Sequence, residues 1–295
     1  MKKLVIIVMA IAVLLPTVIF ANGQGESSDA KPQTVKLTYV NWEEGVAWTH
    51  VVAAILEDEY GCKVELTAAD VAPAISSVAN GDQDFFMEGW LPNLHTVYTE
   101  GTDIVKIQTI YKDGVVGLIV PKYMADEGVT KISDLAKPEV AKKLDYKITG
   151  IDAGAGMMIK CEEEIIPKYG LDEAGIQLLP SSGPAMLAAM DAAIKDHEYI
   201  VGMGWQPHSM FGRYDLVILE QDKDIIYAPD DIFILGRPGV EEELPEITAF
   251  MKNVFWTNET IGPLMVYIAD SDKNTLEAAR EWKNANPDVW QDWVK

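Results

Sequence analysis

The sequence predicts an α/β fold. Three observations lead there: short apolar runs of strand length recur from residue 35 to about 237, stretches of helical period separate them, and no array-type repeat or long Gly/Ser linker interrupts the alternation. Strands separated by helices favour parallel pairing, with helices covering both faces of the sheet.

The elements follow in order. "VKLTYV" (35–40) is strand-like and leads into a helix over Gly45–Tyr60, where Val51, Val52, Ile55 and Leu56 fall on one face. "KVEL" (63–66) is a second strand, "VAPAISSVAN" a helix closed by Gly81, and "DFFM" (84–87) a third strand. "GVVGLIVP" (114–121) has the continuous apolar character of a buried strand. "KITGI" (147–151) precedes a glycine-rich turn and a helix from about Gly156 to Tyr169. "IQLLP", an Ala- and Met-rich helix from Pro184 to about Lys195, and "YIVGMGW" repeat the unit. From Pro245 onward the spacing is helical, with prolines at first-turn positions, and Trp282, Trp290 and Trp293 are expected to pack there.

The N-terminus reads "MKK", then "LVIIVMAIAVLLPTVIFA", then polar residues, the pattern of a secretory signal peptide over 1–23 followed by a loose segment over 24–33. The apolar run is long for a signal peptide, so an uncleaved anchor is the competing reading. No cysteine lies near the junction to carry a lipid. The expected mature protein is exported, periplasmic and monomeric. Removing Lys2 and Lys3 takes the formal charge from −22 to −24, and a surface that negative repels phosphate backbones, which argues against nucleic-acid binding. Cys62 and Cys161 match no metal-ligand spacing, and neither do the four histidines, so no metal and no cofactor is expected.

Trp42, Trp90 and Trp205 each stand where a strand ends, and two of them open the related words "GWLPNLH" (89–95) and "GWQPHS" (204–209). Taken singly, each reads as a half-buried packing residue. Taken together they suit a box of ring faces for a quaternary ammonium, which cannot donate ordinary hydrogen bonds but is attracted to aromatic faces. "GIDAGAGMM" (150–158) reads either as a tight turn into a helix or as an anion site at a helix start. Glu43 and Glu44 are expected to cap a helix or face a cation. An enzyme reading would use His95 or His208 as a base, but no nucleophile or metal set supports it, and the expectation is that the protein is not an enzyme.

The words "VNWEEGVA", "GDQDFFMEGWLPNLH", "GLIVP", "GIDAGAGMM" and "GWQPHSMFGRYDL", in this order and spacing, resemble the glycine betaine/choline-binding proteins of ABC importers over nearly all of the mature chain. The resemblance implies a two-lobed type II periplasmic binding fold with a cleft between the lobes. It implies that Trp42, Trp90 and Trp205 surround a trimethylammonium group, while His95 and the backbone N–H groups of Gly156 and Met157 hold a carboxylate. A histidine after "GWLPNL" is more like the betaine-binding relatives than the choline-binding ones. Ser209 departs from the family, where an aromatic often follows Pro-His, and Ala153 stands where proline is common.

On that layout one lobe comprises 34–113 and 226–295, and the other 114–225. Cys62 and Cys161 then fall on different lobes, and free thiols are expected. The implied partners are glycine betaine and a membrane permease. The alternatives are the same scaffold serving choline, carnitine or proline betaine, or a sensory subunit with the same cleft.

Overall fold

The computed structural model describes residues 32–295. The signal peptide expected over 1–23, and most of the loose segment expected after it, lie outside the described residues.

Among the described residues, eight strands form one continuous hydrogen-bonded path in the order β2-β1-β3-β9-β4-β7-β5-β6, and a ninth, β8, is attached to β4. They are β1 (Thr34–Tyr39), β2 (Lys63–Ala68), β3 (Phe85–Leu91), β4 (Val105–Pro121), β5 (Lys147–Thr149), β6 (Gln177–Leu179), β7 (Gly202–Gln206), β8 (Leu216–Ile218) and β9 (Asp230–Gly236). The expected parallel pairing holds at both ends of the path: β1 runs parallel to β2 and β3, and β5 parallel to β6 and β7. The middle is different, because β9 is antiparallel to β3 and β4, and β4 is antiparallel to β7 and β8. The reason is the 17-residue strand β4, of which only 114–121 is legible as a strand from the sequence. Its first part, to Gly114, pairs with β9, and from Val115 onward it pairs with β7 and then β8. One strand therefore serves both halves of the sheet.

The first long helix, α1 (Glu43–Tyr60), follows β1 directly and ends at Gly61, whose φ of 63° suits a residue without a side chain. Its buried face carries Trp48, Val51, Val52, Ile55 and Leu56. It packs along the helix Thr275–Ala285. There Lys283 Nζ lies 2.9 Å from Asp58 and 2.8 Å from Glu59, and Arg280 pairs with Glu57 and Asp58. The shorter α2 (Val71–Ala79) covers β1 and β3. Trp282, Trp290 and Trp293 are buried near the C-terminus, with Trp256 ring to ring against Trp282 and Trp293 at 6.0 and 5.0 Å, so they are packing residues. Both cysteines are buried and free.

Candidate functional site

The six residues singled out in sequence converge on one cavity. Trp42, Trp90, Trp205, His95, Gly156 and Met157 line it, together with Leu94, Val116, Ile151 and Ala155. The cavity has an empty volume of about 260 Å³, part of it open to solvent.

Each wall has an identifiable support. Trp42 is the residue before α1, and its indole Nε1 donates to Asp152 Oδ2 at 2.9 Å. Trp90 is the penultimate residue of β3, and its ring occupies the space beside Gly114, where a Cβ would come within 2.6 Å of it. Trp205 is the penultimate residue of β7, paired with Val116 on β4. Trp42 and Trp205 approach to 6.0 Å between ring centroids with an interplanar angle of 51°. All three indoles are almost completely buried, not half-exposed as sequence position suggested: Trp42 packs against Trp205 and His95, and the Trp90 ring lies against Gly114.

His95 is buried and neutral. Its Nδ1 accepts from the Trp90 backbone N–H at 3.1 Å, which leaves the ring proton on Nε2. Burial lowers its pKa to about 3, with a backbone contact to Glu88 opposing the shift. Its ring lies 6.2 Å from that of Trp42. The loop that carries it is tied by Asp230, which accepts from the N–H groups of Asn93 (2.7 Å) and Leu94 (2.9 Å). The peptide bonds Leu91–Pro92 and Gln206–Pro207 are both cis, so the two related Trp-x-Pro words share a backbone form.

The glycine-rich turn opens the helix Gly156–Lys160, which continues through Cys161–Ile165 to Tyr169. A Cβ at Gly156 would lie 2.3 Å from the Leu94 carbonyl oxygen, so a side chain there would push the His95 loop away. The turn is anchored by Tyr98, whose hydroxyl donates to Gly154 O at 2.8 Å, and by Tyr227, which donates to Met157 O at 2.7 Å. Among the described residues, the N–H groups of Gly156 and Met157 meet no acceptor outside regular elements.

Glu43 and Glu44 do not cap α1, which has no side-chain cap bond. Glu43 instead accepts from Ser209 N–H at 2.8 Å and Ser209 Oγ at 2.6 Å. His208 Nδ1 lies 2.9 Å from Glu43 Oε2 and 3.0 Å from Met210 N: protonated it donates to the carboxylate, and bare it accepts from Met210. Although burial alone would raise it, Glu43 is held down to about 2 by the His208 and Ser209 contacts. Ser209, the departure from the family pattern, is thus the hydroxyl that binds Glu43. Asp152, Asp230, Tyr98 and Tyr227 were not singled out from sequence; only Asp152 sits in a word that was, "GIDAGAGMM".

No helix of the described residues is long and apolar enough to cross a membrane, and no cluster among them could hold a metal ion. Residues 33–285 match the family model described as the substrate binding domain of ABC-type glycine betaine transport system. The chain is 37% identical over 159 residues to the glycine betaine/carnitine transport binding protein GbuC of Listeria monocytogenes, covering 54% of this chain and 52% of that protein. The chain thus spans about half the length of that curated relative. Among solved structures it is similar to lactococcal OpuAC in its closed, glycine betaine-bound form (33% identity, TM-score 0.80, covering 89% of this chain and all of that one). It is also similar to an ABC-transporter choline binding protein in complex with choline (25% identity, TM-score 0.80, covering 88% and 91%).

Proposed function

Because this chain belongs to the family of substrate-binding domains of ABC-type glycine betaine transport systems, a non-enzymatic family with a two-lobed periplasmic binding fold, we propose that it captures glycine betaine outside the cytoplasm and delivers it to a membrane permease. The observation that carries this reading is the meeting of three indoles, a neutral histidine and a helix start in one cavity. The trimethylammonium group sits among the faces of Trp42, Trp90 and Trp205, each ring contributing ~2 kcal/mol when the cation is desolvated. The carboxylate is held by His95 Nε2–H and by the N–H groups of Gly156 and Met157. Rings that attract a cation at one end and donors that attract an anion at the other suit a zwitterion.

The proposed lobes, 34–113 with 226–295 and 114–225, agree with the change of partner along β4 near residue 114. Trp42, Trp90 and His95 then belong to one lobe, and Trp205, Gly156 and Met157 to the other. A ligand touching both stabilises the closed form over the open one. The Glu43 contacts to Ser209 and His208 bridge the same two segments. The protein acts as an exported monomer.

Calorimetric titration with glycine betaine, choline, carnitine and proline betaine tests the assignment. Tight betaine binding that falls about thirtyfold in Trp90→Leu and is weakened in His95→Ala supports both ends of the site. Stronger binding of choline keeps the aromatic box and removes the proposed role of His95. No binding by any of the four overturns the proposal.

A further inference from the structure

Two glutamates behind the aromatic walls have no evident structural task. Glu44, the second residue of α1, and Glu88, in β3, are both completely buried, and none of their four carboxyl oxygens has a donor in full hydrogen-bond geometry: the polar groups nearest them are each other, the Trp205 indole N–H and the Val40 backbone N–H. The two carboxyls are neighbours, and that of Glu88 fills the space above Gly45, the residue after Glu44, where a Cβ would lie 2.2 Å from Oε2. The register of β3 against β9 shifts between Phe86 and Gly89, a bulge that re-aims the intervening side chains. Both glutamates lie two residues from a box tryptophan, Glu44 from Trp42 and Glu88 from Trp90. Glu44 also faces the Trp205 indole N–H, which has no partner in hydrogen-bond geometry.

An unpaired carboxylate in such a place is costly, and two are far more so, because like charges at close range cannot both ionise. Burial raises the pKa of both groups, and the negative charge of Glu44 raises Glu88 further. The surrounding titratable groups are few. Glu43 and His208 lie beside Glu44 on one side, Asp152 beside Glu88 on the other, and His95 follows Glu88 on the same segment.

We propose that Glu44 and Glu88 hold a shared proton in the ligand-free protein and release it to solvent when a quaternary ammonium group enters the aromatic cavity, so that the pair is the counter-charge behind the box. This rests on the function proposed above and adds a role for residues that do not line the cavity. A cation among the rings favours the ionised form of any carboxyl close behind them, and the effect is strong where water is excluded. Ligand binding and proton release are then one coupled equilibrium. By linkage, a site that loses a proton on binding binds more tightly as pH rises, by up to about tenfold per pH unit while the pair titrates. Neutral His95 has the opposite tendency towards an anionic ligand, because a nearby carboxylate favours protonation of the imidazole. Choline, which has no carboxylate, isolates the glutamate pair.

The test is calorimetric titration of the protein with glycine betaine and with choline at pH 6, 7 and 8, each in phosphate and in Tris. Protons released on binding are taken up by the buffer, so the observed heat differs between these buffers in proportion to the number released. The expected result is a buffer-dependent heat reporting proton release with either ligand, and affinity that rises with pH. Glu88→Gln and Glu44→Gln each lose most of the release, whereas His208→Gln retains it. Circular dichroism checks that each variant is folded, and the wild-type buffer comparison stands without any variant. Binding with equal heats in both buffers at every pH overturns the proposal, as does release that persists in both glutamine variants. Absence of any binding heat overturns the functional reading itself and this inference with it.

Discussion

The indole Nε1 of Trp42 donates to Asp152 Oδ2 at 2.9 Å, joining residues 110 positions apart in the chain. One wall of the cavity is thereby tied to the glycine-rich turn that forms another. A hydrogen bond to a carboxylate contributes about 1.5–3 kcal/mol, enough to hold a ring in one orientation. Asp152→Ala is expected to weaken betaine binding about tenfold or more while leaving the fold intact, as read by titration and circular dichroism. Unchanged affinity would mean that Trp42 is held by packing alone.

Trp90→Leu keeps an apolar side chain in the wall but removes a ring face. A loss of ~2 kcal/mol corresponds to about thirtyfold weaker binding of a quaternary ammonium. Trp90→Phe should lose less, since a smaller ring face remains. Similar losses in the two variants would show that volume, not ring electrostatics, sets the affinity.

Gly156→Ala drives a Cβ to within 2.3 Å of a backbone carbonyl, that of Leu94, which cannot rotate away as a flexible side chain could. Overpacking of this kind costs about 1–3 kcal/mol. Thermal unfolding is expected to begin several degrees lower, and betaine affinity to fall because the His95 loop is displaced.

Stability should depend on pH through His95. Its folded pKa of about 3 lies below the ordinary 6.5, so the unfolded chain binds the extra proton between those values. The histidine therefore destabilises the fold progressively as pH falls below 6.5, by up to about 1.4 kcal/mol per unit. Glu88, whose pKa is raised, contributes with the opposite sign, since its folded form prefers the proton. The difference between wild type and His95→Gln isolates the histidine. On going from pH 7 to pH 5, the urea midpoint of the variant is expected to fall less than that of wild type, and equal shifts would contradict a buried neutral His95.

Much of this protein is local enough to be legible in its sequence. The alternation of strand and helix, the helix over Gly45–Tyr60 and the packing role of Trp282, Trp290 and Trp293 all follow from periodicity and turn chemistry within short windows. The six residues that meet in the cavity could be named together only because the words that carry them keep family order; singly, each tryptophan reads as packing and the glycines as a tight turn into a helix. The antiparallel middle of the sheet was not legible, because it depends on β4 pairing with β9, a strand more than 100 residues away. The supports of the site were hidden in the same way. Asp230, Tyr98 and Tyr227 are ordinary residues until folding brings Asn93, Gly154 and Met157 to them.

The glutamates mark the boundary between the two kinds of information. By itself the sequence determined the fold class, the family and the aromatic and glycine positions, since these rest on residue type and spacing along the chain. Only the tertiary structure decided what Glu43, Glu44 and Glu88 do. A carboxylate near a helix start ordinarily caps it or faces water. Here a bulge in β3 and the bare backbone at Gly45 bury Glu44 against Glu88, while Ser209 and His208 arrive to hold Glu43. Burial and the charge of a neighbour decide whether a carboxyl keeps its proton, and both are properties of the folded chain.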